Sequence, residues 1–284
     1  MTLREALRQA EARIASHNIP DARVEAELLL MDSLGTQRAE LYARLGEPFP
    51  SPEGDKFWGL VERRLRREPT AYILRRCEFY GIELYVDPRV LIPRPETELL
   101  VETSLAFVEQ RFGKARHCTI ADVGTGSGAM AIALALHLSQ SRICATDFSA
   151  DAIDVARLNC GRHGVEGQVS LLLGDMLEPL SRPVDLVVAN LPYVKDADIP
   201  QLMPEIRDFE PVAALAGGAD GLDKVRLLLA QAKDHLLPQG SVMLEIGLGQ
   251  AEEAVSLAKR HFPESKVDLL CDFAGIERVL RIAT

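Results

Sequence analysis

Leu3, Leu7, Ala10 and Ile14 recur at intervals of three and four residues, and that spacing predicts an amphipathic helix at the start of the chain. Pro20-Asp21 then opens a second, leucine-rich helix. Ser51-Pro52-Glu53 reads as an N-cap with proline at the first helical position, so residues 1–67 are expected to form a small helical bundle. Over residues 68–90 the period shortens. Ala71-Tyr72-Ile73-Leu74 and Phe79 to Val86 read as two strands, a β-hairpin connector. Pro93 and Pro95 stiffen an extended segment before an amphipathic helix that ends near Phe112. Beyond it strands are expected at 119–123, 143–146, 169–173, 186–189, 242–246, 267–270 and 279–282, with helices at 128–138, 150–163, 222–236 and 251–262. Alternation of this kind predicts an α/β fold with a doubly wound seven-stranded sheet over residues 91–284. The last two strands lack an intervening helix and are expected to form an antiparallel hairpin.

At 284 residues the chain has room for a domain of about 200 residues and a smaller second one. Its longest apolar run, Ala129 to Leu136, is far short of the roughly 20 residues that span a bilayer, and the N-terminal stretch is charged throughout, so neither a membrane nor a targeting segment is expected. Cys77, Cys118, Cys144, Cys160 and Cys271 are odd in number, widely spaced and free of CxxC pairs, which suits reduced thiols in a cytoplasmic protein rather than zinc or disulfides. The net charge of -10 is uneven: residues 1–90 carry 14 Lys+Arg against 15 Asp+Glu, and the remainder 18 against 27. An acidic body argues against a large nucleic-acid footprint. The one dense basic cluster, Arg63, Arg64, Arg66 and Arg67, reads as a solvated helix face, with contact to a partner as the alternative.

Candidate chemistry gathers at the carboxyl ends of the expected strands, where open α/β sheets bind ligands. Leu186 to Ala189 form an uncharged strand that delivers Asn190, Leu191, Pro192 and Tyr193, and an amide, a carbonyl and an aromatic ring there are candidates to grip a planar group. An ordinary strand-to-loop turn is the alternative. Gly124-Thr125-Gly126-Ser127-Gly128 follows the first long strand, and its glycines permit close approach of the backbone to a ligand. The spacing is GxGxG, not GxGxxG, and no P-loop lysine follows, which lowers the dinucleotide and ATP readings. Asp147 ends the next strand about 20 residues further on, where a carboxylate can accept both hydroxyls of a ribose. Asp175 and Met176, after the third strand, suit an adenine ring. For any single aspartate a helix cap is the competing explanation.

With these residues in view the chain resembles the S-adenosylmethionine-dependent N5-glutamine methyltransferases of peptide chain release factors. The likeness is carried by Pro69 to Ile73, Glu78 to Gly81, Val90 to Glu98, Asp122 to Gly128, Glu210-Pro211 with Ala214-Leu215, Asp220 to Leu222 and Leu244 to Gly247. The Pro-Arg-Pro-Glu segment is far more specific than the glycine turn. The resemblance implies a class I methyltransferase-like sheet in which Gly124, Thr125, Gly126, Ser127, Gly128, Asp147, Asp175 and Met176 hold S-adenosyl-L-methionine, with Asn190 beside it. It implies that Asn190, Leu191, Pro192 and Tyr193 hold the glutamine of the release factors' GGQ motif. Residues 1–67 carry no residue types of a catalytic site and add a helical bundle to a sheet domain long enough to have its own core, so they are expected to recognise the substrate. Two positions depart from the family pattern. Leu191 replaces the first proline of Asn-Pro-Pro-Tyr, and Arg75 stands where glycine is common. A ribosomal protein as glutamine substrate, an amino-directed nucleic-acid methyltransferase and an inactive cofactor-binding module are the rival readings.

Overall fold

The computed structural model describes residues 1–113 and 117–284. Two compact units are present, Met1–Arg76 with Met203–Phe209, and Cys77–Leu202 with Glu210–Thr284. Elements are numbered along the chain.

The first unit contains α1 (Leu3–Ser16), α2 (Ala22–Leu34), α3 (Arg38–Arg44), α4 (Ser51–Leu65), α5 (Thr70–Leu74) and the single turn α9 (Pro204–Arg207). Thr2 caps α1 in a capping box with Glu5, and the helix buries Leu3, Leu7, Ala10 and Ile14, the stripe its spacing foretells. These pack with Leu29, Leu30, Leu41, Phe57, Val61 and Ile73. Three expectations need correction. Ser51 does not cap α4 but is its first helical residue, following Pro50, so Pro52 sits one position deeper. Ala71 to Leu74 is helical, not a strand: four apolar residues fit either period, and the Tyr72 and Ile73 amides both bond to the Pro69 carbonyl as a helical turn begins. The arginine cluster is only in part a solvated face, with Arg66 exposed. Arg64 is 3% exposed and bonds Glu25 at 3.1 Å and Glu205 at 3.0 Å, while Arg67 bonds Glu205 at 2.7 Å.

The second unit starts with the hairpin β1 (Cys77–Phe79) and β2 (Ile82–Leu84), turned through Tyr80 and Gly81, both at positive φ as tight hairpins need. Helix α6 (Glu98–Phe112) leads to β3 (Thr119–Val123), α7 (Ala129–His137), β4 (Arg142–Asp147), α8 (Ala150–His163), β5 (Val169–Leu173) and β6 (Val184–Ala189). Then come α10 (Asp223–His235), β7 (Leu236–Glu245), α11 (Ala251–His261), β8 (Lys266–Cys271) and β9 (Glu277–Ala283). The seven strands run in the order β5-β4-β3-β6-β7-β9-β8, parallel except for β9, which is antiparallel to both neighbours. The final hairpin is as expected. Both faces of β6 are buried, Leu186 and Val188 in one cluster with Ile120 and Met243, Val187 and Ala189 in the other with Val123 and Leu244. That is why the strand reads as an unbroken apolar run.

Register sets the site. Val123 pairs with Thr146 on one side and Ala189 on the other, so Gly124, Asp147 and Asn190 leave the sheet at one level. β3 is also where strand order reverses, β4 on one side and β6 on the other, so a crevice opens there.

Candidate active site at the carboxyl ends of the central strands

A cavity of about 160 Å³ lies at that crevice. Gly124, Gly126, Asp147, Asn190 and Pro192 all line it, so the glycine turn, the acidic strand end and the Asn190 loop share one space. Gly124 and Gly126 have φ of 72° and 57°, backbone that glycine adopts without strain, and no side chain there fills the cavity. The Asp147 carboxylate, 7% exposed, accepts Gly126 N–H through Oδ2 and Ser149 N–H through Oδ1, each at 2.9 Å. Burial pushes its pKa up against the pull of the Ser149, Gly126 and Phe148 amides. The helix cap of α8 is Ser149, whose hydroxyl accepts Ala152 N–H. Asp147 therefore does not bond the first turn itself, and its carboxylate stands on the cavity wall.

Other residues of the glycine turn build the turn. The Thr125 hydroxyl donates to Asp122 Oδ2 at 2.7 Å, and the Ser127 carbonyl accepts from Asn159 at 2.9 Å. Gly128 lets α7 approach α8, since a Cβ there would lie 3.4 Å from Ala156 Cα. Asp122 is fully buried, and burial pushes its pKa up to about 6. Asp175 and Met176 follow β5 and do not line the cavity; Met176 is 8% exposed and packs with Leu177 and Leu180. Leu191 is 4% exposed in the same core cluster, its Cδ2 3.5 Å from where a Cβ on Gly124 would stand. Tyr193 is half-buried beyond the cavity; its phenol is pushed up to about 12 by burial and by Glu245, and stays protonated.

Residues 5–74 match the family described as the PrmC N-terminal domain, and residues 101–207 that described as ribosomal protein L11 methyltransferase (PrmA). The release factor glutamine methyltransferase of Geobacter sulfurreducens is 41% identical over 261 residues, covering 91% of this chain and 89% of that protein. That of Moorella thermoacetica is 40% identical over 279 residues, covering 98% and 97%. The chain belongs to the release factor glutamine methyltransferase family. A crystal structure of ribosomal protein L11 methylase from Lactobacillus delbrueckii subsp. bulgaricus, 24% identical, superimposes with a TM-score of 0.50 over 69% of this chain and 82% of that one, a likeness of fold.

In this family member the sequence reading missed much of the wall around the site. Phe148 is 58% exposed and lines the cavity, as do Val90, Leu91, Pro211 and Ala214. Those last four lie in segments that marked the family without an assigned task, and an Arg94–Glu210 ion pair, buried on its acidic side, ties the two segments together. Thr97 and Glu245 were missed as well: Asn190 Nδ2 donates to Thr97 Oγ1 at 2.9 Å, which donates to Glu245 Oε2 at 2.6 Å. Gln250 clamps the loop from behind, its Nε2 donating to the Tyr193 carbonyl at 3.0 Å and its Oε1 accepting Gly247 N–H at 2.8 Å. Bare backbone completes the clamp. A Cβ on Gly221 would stand 2.3 Å from the Tyr193 carbonyl oxygen, and one on Gly217 2.7 Å from that of Pro192. The loop is thus held rigid from outside itself, which a second proline in place of Leu191 is not needed to do.

Proposed function

We propose that this protein transfers a methyl group from S-adenosyl-L-methionine to the side-chain amide nitrogen of a glutamine in peptide chain release factors, the GGQ glutamine that the resemblance implies. The observation that carries the reading is the single cavity lined at once by Gly124, Gly126, Asp147, Asn190 and Pro192. Near-full-length relatives that carry this activity in their names support it. The donor set suits an adenosyl cofactor: bare backbone at Gly124 and Gly126, a carboxylate at Asp147 with lone pairs left for ribose hydroxyls, and the exposed Phe148 ring for a planar base. When bound, S-adenosyl-L-methionine supplies an activated methyl group on a sulfonium.

An amide nitrogen is a poor nucleophile because its lone pair is delocalised, so the chain's own contribution is to hold it in line and to stabilise the charge that develops on it. The Asn190 side-chain oxygen and the Leu191 carbonyl each accept one N–H of the substrate amide, and Tyr193 offers its ring to the amide plane. No side-chain base takes part in this reading: the N–H proton that the nitrogen gives up on gaining the methyl group passes to water. Glutamate is rejected because its carboxylate brings acceptors to acceptors, at about 1–3 kcal/mol for each buried polar group left unpaired. Pro192 and the clamp behind Tyr193 keep both acceptors in place.

Residues 1–67 belong to this reading as the surface that engages the release factor away from the methylated loop, and the cytoplasm as its compartment. The match of residues 101–207 to ribosomal protein L11 methyltransferase favours a ribosomal protein as the rival substrate. Single-turnover methylation of release factor by Asn190→Ala, with cofactor affinity measured in parallel by calorimetry, tests the assignment. The rate is expected to fall by about 10²-fold or more at unchanged cofactor affinity. A variant as fast as the parent would falsify the role given to Asn190.

A further inference from the structure

We propose that Thr97 is a positioning residue that fixes which end of the Asn190 amide faces the substrate. The proposal rests on the reading of Asn190 as an acceptor of the substrate N–H. Three groups from distant parts of the chain form a relay: Asn190 Nδ2 is 2.9 Å from Thr97 Oγ1, and Thr97 Oγ1 is 2.6 Å from Glu245 Oε2. Thr97 is 5% exposed and Glu245 3%, so solvent does not compete for these bonds. A hydroxyl has one proton to donate and two lone pairs. Burial raises the pKa of Glu245, against the pull of the Thr97 hydroxyl; as a carboxylate, the form that the Thr97 bond favours, it can only accept, so the Thr97 proton goes to Glu245 and the Thr97 oxygen can only accept from Asn190. The amide must then turn its NH2 toward Thr97. Its carbonyl oxygen is left on the opposite edge, free of the relay.

The orientation matters because the two ends of an asparagine amide are nearly equal in shape and opposite in chemistry. With the carbonyl oxygen presented, Asn190 accepts a substrate N–H; with the NH2 presented, donors would meet donors and the glutamine amide would be repelled. In the reversed state two oxygens, those of Asn190 and Thr97, would also face one another with no proton between them, since Glu245 holds the only one available. The relay removes that state before substrate arrives, which is preorganisation of an acceptor.

Thr97→Val keeps the shape of the side chain and removes the hydroxyl; Thr97→Ser keeps the hydroxyl. Methylation of intact release factor by each, beside Asn190→Ala, is the experiment, with cofactor affinity by calorimetry and thermal unfolding as companions. Thr97→Val is expected to lower kcat about tenfold or more, with KM and cofactor affinity close to wild type. Thr97→Ser should restore most of the rate. In the wild-type protein, hydrogen exchange of the two Asn190 side-chain amide protons, followed by NMR, should find one of them slowed relative to an exposed asparagine, and Thr97→Val should release it. Wild-type kcat in Thr97→Val beside an inactive Asn190→Ala overturns the relay and leaves the role of Asn190 standing. A fully active Asn190→Ala overturns that role too. Should Thr97→Val not fold, exchange in the native protein decides alone, and two Asn190 amide protons as fast as in an exposed asparagine overturn the proposal.

Discussion

Asp147 serves the backbone and the cavity with the same carboxylate. Each of its oxygens takes one amide N–H and keeps a lone pair in reserve. Asp147→Ala is expected to weaken S-adenosyl-L-methionine by roughly 1.5–3 kcal/mol, the range for a lost hydrogen bond to a charged group, without unfolding the protein. Calorimetric titration measures it, and parent-like affinity in folded protein would reduce Asp147 to a brace for Gly126. Leu191 is different in kind, because its side chain is core. Leu191→Ala should lower unfolding free energy by about 2–4 kcal/mol in urea titrations, the usual cost of emptying a buried leucine site. Arg75 stands at φ 58°, the left-handed conformation that ends α5 and that glycine adopts without strain, in keeping with the glycine that the resemblance leads one to expect there. Arg75→Gly is expected to be more stable than Arg75→Ala by about 1 kcal/mol, since both lose the same side-chain contacts and only alanine retains the strained Cβ. Single residues at strand ends were legible because position and chemistry coincide there. The task of Thr97 and Glu245 was not, although both lie in segments that carry the family likeness, since the bonds that give them a task cross 93 and 148 residues.

Most elements of the sheet domain with strong period were legible to within two residues, and the reason is burial on defined faces; the exceptions are β7, which begins at Leu236 and not near 242, and Phe79 to Val86, which holds the turn of the β1–β2 hairpin and is not one strand. β6 is apolar throughout because two clusters cover it, and α1 shows its stripe because one cluster covers one side. Residues 71–74 failed as a strand because four apolar positions contain too little period to separate two from three and a half. The clamp on the Asn190 loop was invisible for another reason. It consists of glycines whose significance is the backbone they admit, and Gly221, at φ 82°, would place a Cβ 2.3 Å from both the Tyr193 carbonyl oxygen and Gln250 Nε2. Gly221→Ala should therefore displace the loop and cut methyl transfer at least tenfold, with cofactor affinity nearly unchanged because that substitution touches no part of the glycine turn. Equal losses of both would mean that the loop and the cofactor wall move as one body.

At the scale of the molecule, the segment Met203–Phe209 belongs with the N-terminal helices, and a charge cluster holds it there. Burial would raise the pKa of Glu205, but its own backbone amide and the Arg67 and Arg64 guanidiniums outweigh burial and hold it below its ordinary 4.5. A carboxylate with a depressed folded-state pKa contributes stability that is present above the ordinary value and lost as pH falls through the folded one. Wild-type protein should thus lose unfolding free energy as pH drops below about 4.5, and Glu205→Gln, already weaker at pH 7, should lose less over the same interval. Parallel slopes would show that Glu205 titrates the same folded and unfolded. If residues 1–67 recognise the release factor, intact factor should be methylated with much higher kcat/KM than a glutamine loop peptide, because a second contact surface raises the effective concentration of the loop. The most direct test of the central claim is mass spectrometry of purified release factor, ribosomal proteins, DNA and RNA after incubation with the protein and S-adenosyl-L-methionine. The expected result is one methyl group on the GGQ glutamine amide of the release factor and none when that glutamine is replaced by glutamate. Methylation of a ribosomal protein or nucleic acid with release factor left unmodified would contradict it.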